Sequence, residues 1–66
     1  MKLTINGETA ENIRAGTVRE LLQELKVEPG RVAVEVNLTV VKRADFGTFP
    51  LNDGDRVEIV NFVGGG

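Results

Sequence analysis

Cysteine and histidine are both missing from the 66 residues of this chain. With them go disulfides, thiolate nucleophiles, the usual zinc ligands and the commonest general base at neutral pH. Catalysis by the chain on its own is not expected. Tryptophan and tyrosine are absent too, and three phenylalanines are the whole aromatic complement, so the base-stacking platform of a single-strand binder is lacking. Eight basic residues against ten acidic ones leave a net charge of −2, and the basic ones are scattered rather than gathered into a stripe that neutralises successive phosphates. No nucleic acid is expected as a partner. No segment approaches the ~20 apolar residues that span a bilayer. Met1-Lys2-Leu3-Thr4 leads into no apolar run of the kind a secretion signal needs. A cytoplasmic chain with no membrane partner is expected, and in that setting the Asn37-Leu38-Thr39 sequon carries no meaning.

What remains is a pattern of short amphipathic segments. Leu3 and Ile5 alternate with polar neighbours, and Asn6-Gly7 is the pair that most readily takes positive φ at both centres of a type I′ turn. A hairpin is predicted, its second strand running from Glu8 to Ile13. Thr17-Val18-Arg19-Glu20 fits a capping box, in which the Thr17 hydroxyl accepts from the Glu20 N–H and the Glu20 carboxylate reaches back to the Thr17 N–H. In the helix that follows, Val18, Leu21, Leu22 and Leu25 form one apolar stripe. Lys26 suits its negative end, and Pro29-Gly30 blocks any continuation.

Val32, Val34 and Val36 then alternate with Ala33 and Glu35 as in a half-buried strand, and Asn37 turns the chain into a fourth strand, Thr39 to Lys42. Arg43 to Pro50 reads as a loop with one helical turn, anchored by Phe46, Phe49 or both. Asn52-Asp53-Gly54-Asp55 is a turn cluster; it lacks the ligand spacing of a calcium loop, so no metal site is expected. A last strand runs from Arg56 to about Phe62. The expected class is α+β, with the helix stripe packed on Leu3, Ile5, Val34, Val36, Val57 and Ile59. A domain this small buries only about 60% of its unfolded surface, which leaves little room for a cleft of its own.

The last strand runs through Asn61-Phe62-Val63 into Gly64-Gly65-Gly66. Three glycines stabilise no packed structure, yet they take any φ and pass through a slot too narrow for a Cβ. They suit a tail that threads into another protein. If Val57 and Ile59 point inward, the two-residue period places Glu58, Val60 and Phe62 on the opposite face, next to that tail. These three are the expected docking residues, with Phe62 folded back over the core edge as the alternative.

Over nearly its whole length the chain resembles the sulfur carriers of the ThiS family. The resemblance is carried by Leu3-Thr4-Ile5-Asn6-Gly7, by Gly16-Thr17-Val18-Arg19-Glu20-Leu21-Leu22 and by Val34-Glu35-Val36-Asn37. It continues through Leu51-Asn52-Asp53-Gly54-Asp55-Arg56-Val57-Glu58-Ile59-Val60 into the terminal glycines. It implies a ubiquitin-like β-grasp fold: a mixed sheet of four to five strands with one helix across one face, the first and last strands parallel and adjacent. The domain then covers residues 1–63 and a flexible glycine tail covers 64–66.

The resemblance also implies a carrier that is not an enzyme and needs no cofactor of its own. The Gly66 carboxylate is adenylated by an E1-like enzyme with ATP, converted to a thiocarboxylate by a sulfur donor protein, and used by thiazole synthase to make the thiazole of thiamin. Gly64 and Gly65 thread the tail. Gly64 is one glycine more than the family pattern demands, and Phe62-Val63 stands where ubiquitin carries arginine. Three other readings stay open: the small subunit of molybdopterin synthase, whose members are usually longer, a ubiquitin-like protein modifier, and a β-grasp binding module with an inert tail.

Overall fold

The computed structural model describes residues 1–62. Its elements in chain order are β1 (Leu3–Ile5), β2 (Glu8–Ala10), α1 (Val18–Glu24), β3 (Val32–Val36), β4 (Thr39–Val41) and β5 (Arg56–Asn61), with short 3-10 turns at Pro29–Arg31 and Arg43–Asp45. The five strands form one sheet in the order β2-β1-β5-β3-β4. The last strand is thus the central one, parallel to β1 and antiparallel to β3. This is the mixed sheet with a single crossing helix expected for a β-grasp domain.

Local chemistry explains most of the element ends. Asn6 and Gly7 have φ of 50° and 82°, the type I′ geometry whose twist matches the flanking strands. The strand after this turn is shorter than predicted. Asn12 takes φ of 62° and breaks the extended run, yet Ile13 stays buried. Its N–H donates to the Met1 carbonyl at 2.8 Å, and the Met1 amine donates to the Ile13 carbonyl at 2.7 Å.

The Thr17 cap forms as expected, with its hydroxyl accepting from the Glu20 N–H at 3.3 Å. The reciprocal bond is displaced by one residue, because the Glu20 carboxylate accepts from the Gly16 N–H at 2.7 Å. Glu24 adds to it, taking the N–H groups of Arg14 and Ala15 at 3.1 and 3.0 Å. Two carboxylates four residues apart on one helix repel each other, but here both are spent on one row of loop amides.

At the other end the helix stops before Pro29. Lys26 takes φ of 60°; its N–H donates to the Gln23 carbonyl and that of Val27 to the Leu22 carbonyl, the paired bonds of a Schellman motif. Leu25 therefore sits at the C-cap, half out of the core with 37% exposure. The apolar stripe consists of Val18, Leu21 and Leu22 alone.

Those three meet Leu3, Val34, Val36 and Val57 in a core that also takes in Val32, Val41, Leu51 and Phe46, while Ile5 and Ile59 are half-buried against it. Phe46 is the main anchor of the 43–50 loop; Phe49 packs at the margin and lends its carbonyl to the Val18 N–H. Among the described residues no polar or charged residue is buried. The buried side chains among those residues are all apolar.

Candidate functional site

The central position of β5 follows from its pairing on both edges. Arg56 and Val57 pair with Thr4 and Ile5 of β1, while the whole of Val57–Asn61 pairs with Val36–Val32 of β3. Asn37 locks the start of the strand: its Oδ1 accepts from the Arg56 N–H at 3.0 Å and its Nδ2 donates to Asp55 at 3.0 Å. Asp55 in turn accepts from the Asn52 N–H at 2.8 Å, which closes the preceding turn. At the far end the Phe62 N–H donates to the Arg31 carbonyl at 2.8 Å. The strand therefore leaves the sheet in a direction set from both ends.

Alternation along β5 sorts its side chains. Val57 is fully buried and Ile59 partly so, both toward the helix. Glu58, Val60 and Phe62 take the other face, with Val60 59% and Phe62 54% exposed and Glu58 half-buried. Phe62 is not among the residues packed against the core.

The cross-strand register widens this face beyond the three predicted residues. Ala33 pairs with Val60, Glu35 with Glu58, and Val40 of β4 with Glu35. The sheet face away from α1 is thus an apolar field of Ala33, Val40, Val60 and Phe62 around two directly opposed carboxylates. Like charges in that relation disfavour each other, so the face suits a surface that brings apolar groups and a cation. The period of Val32–Val36 announces that Ala33 and Glu35 point outward. Their meeting with Val60 and Glu58 depends on a strand pairing that no local pattern encodes.

Gly64, Gly65 and Gly66, together with Val63, lie outside the described residues. Among the described residues no group of three or more His, Cys, Asp or Glu side chains is placed to hold a metal. Among the described residues, one shallow depression between the β1–β2 hairpin and Leu25 and another around Lys26–Arg31 contain no nucleophile and base in register. Among the described residues no helix is long and apolar enough to cross a membrane.

Comparison with known proteins extends past the described residues. The chain is 48% identical over 66 residues to a thiazole synthase of Paramagnetospirillum magneticum, covering all of this chain and 20% of that protein. It thus spans about a fifth of the length of such relatives, a share repeated in a thiazole synthase of Magnetococcus marinus at 46% identity. It is 39% identical to the sulfur carrier protein ThiS of Bacillus subtilis over 51 residues, 77% of each chain. A crystal structure of the thiamine biosynthesis protein ThiS from Geobacter metallireducens superposes with a TM-score of 0.83 at 40% identity, over the full length of both chains. The ThiS family profile matches residues 3–66, glycines included. A match of that extent, on a sheet whose central strand leads toward the glycines, means that the chain belongs to the ThiS family.

Proposed function

We propose that this chain is a sulfur carrier of thiamine biosynthesis whose working group is the carboxyl terminus of Gly66. The observation that carries the reading is the family match over residues 3–66, which takes in the three glycines. A carboxylate is a poor electrophile, so an oxygen must first be turned into a leaving group. In an E1-like partner a Gly66 carboxylate oxygen attacks the α-phosphorus of ATP, expelling pyrophosphate and giving an acyl adenylate. The terminal sulfur of a donor protein's persulfide then attacks the acyl carbon and expels AMP, and a partner thiol attacks the inner sulfur of the resulting acyl disulfide, releasing the thiocarboxylate and leaving a disulfide on the partners. Thiazole synthase takes up that sulfur.

On this reading the domain ends near residue 63, residues 64–66 are the threading tail, and the chain itself is not an enzyme. Glu58, Val60 and Phe62, joined by Ala33, Glu35 and Val40, form the docking face. The partner matches it with apolar groups and a basic side chain opposite the two carboxylates. The thiazole synthases that contain a similar unit support the choice of acceptor, since tethering a carrier to its consumer raises its effective concentration. All partners are cytoplasmic.

The test is ATP–pyrophosphate exchange with the cognate activating enzyme. Deleting Gly66 withdraws the carboxylate by up to ~3.6 Å, and misplacement by ~1 Å costs about a hundredfold. The deletion, a residue added after Gly66 and Gly65→Val should each abolish exchange while leaving the circular dichroism of the fold intact. Intact mass from cells should show sulfur in place of one terminal oxygen. Exchange that survives the deletion, or a ladder of chains joined to other proteins through Gly66, would overturn the reading.

A further inference from the structure

The β1–β5 ladder is short for the strand it supports. β1 pairs with β5 only at Thr4–Arg56 and Ile5–Val57, and the last backbone bond between them runs from the Asn6 N–H to the Val57 carbonyl at 2.9 Å. A continued parallel ladder would next set a carbonyl against the Ile59 N–H and an N–H against the Ile59 carbonyl. The chain instead turns away at Asn6-Gly7. The Asn6 side chain supplies both groups: Oδ1 accepts from the Ile59 N–H at 2.7 Å, and Nδ2 donates to the Ile59 carbonyl at 3.1 Å. One carboxamide thus stands in for a missing strand residue.

We propose that Asn6 is a positioning residue for the C-terminal segment, holding the end of β5 on the course along which the terminus reaches the activating enzyme. The inference rests on the carrier reading above. Past Ile59, β5 is secured on the β3 side through Val32–Asn61 pairing and the Phe62–Arg31 bond. On the β1 side, among the described residues, the Asn6 amide is the last attachment. Phe62 lies three residues beyond Ile59, about 10 Å of extended chain. A tilt of only about 6° at Ile59 therefore moves it by about 1 Å, so the amide fixes where the chain leaves the sheet and the direction in which it sets out toward the terminus. Asn6 is exposed, so it contributes this restraint without filling the core.

Asn6→Gly removes the amide while keeping the turn, since glycine takes the positive φ of this position without strain. In the full chain with its activating enzyme, Asn6→Gly should lower kcat for pyrophosphate exchange at least tenfold. KM for the carrier should stay within about twofold, because the docking face is untouched. Asn6→Asp keeps an oxygen for the Ile59 N–H and should recover most of the rate. Amide hydrogen exchange in the free protein should show at least a tenfold loss of protection at Phe62, whose own partner is Arg31, with α1 unchanged. Glu24→Gln, which loosens the fold on the other side of the helix, should leave kcat unchanged.

A kcat for Asn6→Gly within twofold of the parent, or a fall matched by Glu24→Gln, would overturn the proposal. So would unchanged protection at Phe62. Failure of the parent chain itself to support exchange would count against the carrier reading, and the Phe62 protection would then decide the role of Asn6 by itself.

Discussion

Leu38 holds a conformation that its side chain does nothing to justify. It is the second residue of the Asn37-Leu38 turn joining β3 to β4, with φ of 71°, and is 84% exposed. A side chain with a Cβ in the left-handed region costs roughly 1–2 kcal/mol, and little burial offsets it here. Leu38→Gly completes an Asn-Gly pair, the preferred type I′ sequence. After the entropy that glycine loses on folding, a gain of about 1 kcal/mol should remain. Thermal unfolding should show it as a midpoint raised by roughly 5 °C; an unchanged midpoint would mean that this turn is not strained in solution. Lys26 has a similar φ of 60°, but it is the first residue past the C-cap Leu25, and a cation near the C-terminal end of a helix contributes about 0.3–1 kcal/mol. Lys26→Gly should therefore gain less than Leu38→Gly in the same measurement.

At the scale of elements, α1 is too short to stand alone. Its seven residues lie well below the ~12–15 at which isolated helices become marginal in water, so packing and end contacts must hold it. Glu24 provides one such contact through the Arg14 and Ala15 amides. Glu24→Gln exchanges a charged acceptor for a neutral one and should cost about 1 kcal/mol, read as a lower urea midpoint at unchanged slope. β5 gives the opposite expectation on its outer face. Val60 and Phe62 are more than half exposed, so replacing both with serine should change stability by no more than about 1 kcal/mol. The same double variant should raise KM for the carrier in pyrophosphate exchange several-fold or more. Loss of the folded state would place these side chains in the core after all; an unmoved KM would shift the docking face elsewhere.

For the molecule as a whole the margin is narrow. Typical stabilities of ~0.05–0.15 kcal/mol per residue give a chain of this length about 3–10 kcal/mol in all. Phe46 is the largest of the fully buried side chains and is 1% exposed. Truncating a buried phenylalanine costs about 3–5 kcal/mol. Phe46→Ala should therefore leave much of the population unfolded at 37 °C, with a weak or absent cooperative transition in calorimetry. Val40→Ser, at 67% exposure on the rim of the same sheet, should keep its transition. So small a reserve leaves little margin for a buried polar group, whose desolvation would be charged against the same few kilocalories.

Periodicity and turn chemistry decided the elements from sequence alone. The Asn6-Gly7 hairpin, the Thr17 cap, the alternating Val32–Val36 strand and the outward Val60 and Phe62 all follow from interactions within about four residues. Such interactions are written in neighbouring letters. The motifs from Leu3 to Gly66 likewise sufficed to indicate the family. What needed the tertiary structure was everything set by partners distant in sequence. The Glu20 carboxylate chose the Gly16 amide because the loop passes there, and Lys26 rather than Pro29 ended the helix as Val27 turned back toward the core. Phe46 and not Phe49 became the anchor. The register that sets Glu35 against Glu58, and the reach of Asn6 across 53 residues to Ile59, were likewise decided only by the folded chain. A side chain declares by its own sequence which face it prefers; which group it meets there depends on how the strands are ordered, and that order minimises the free energy of the whole chain rather than of any one segment.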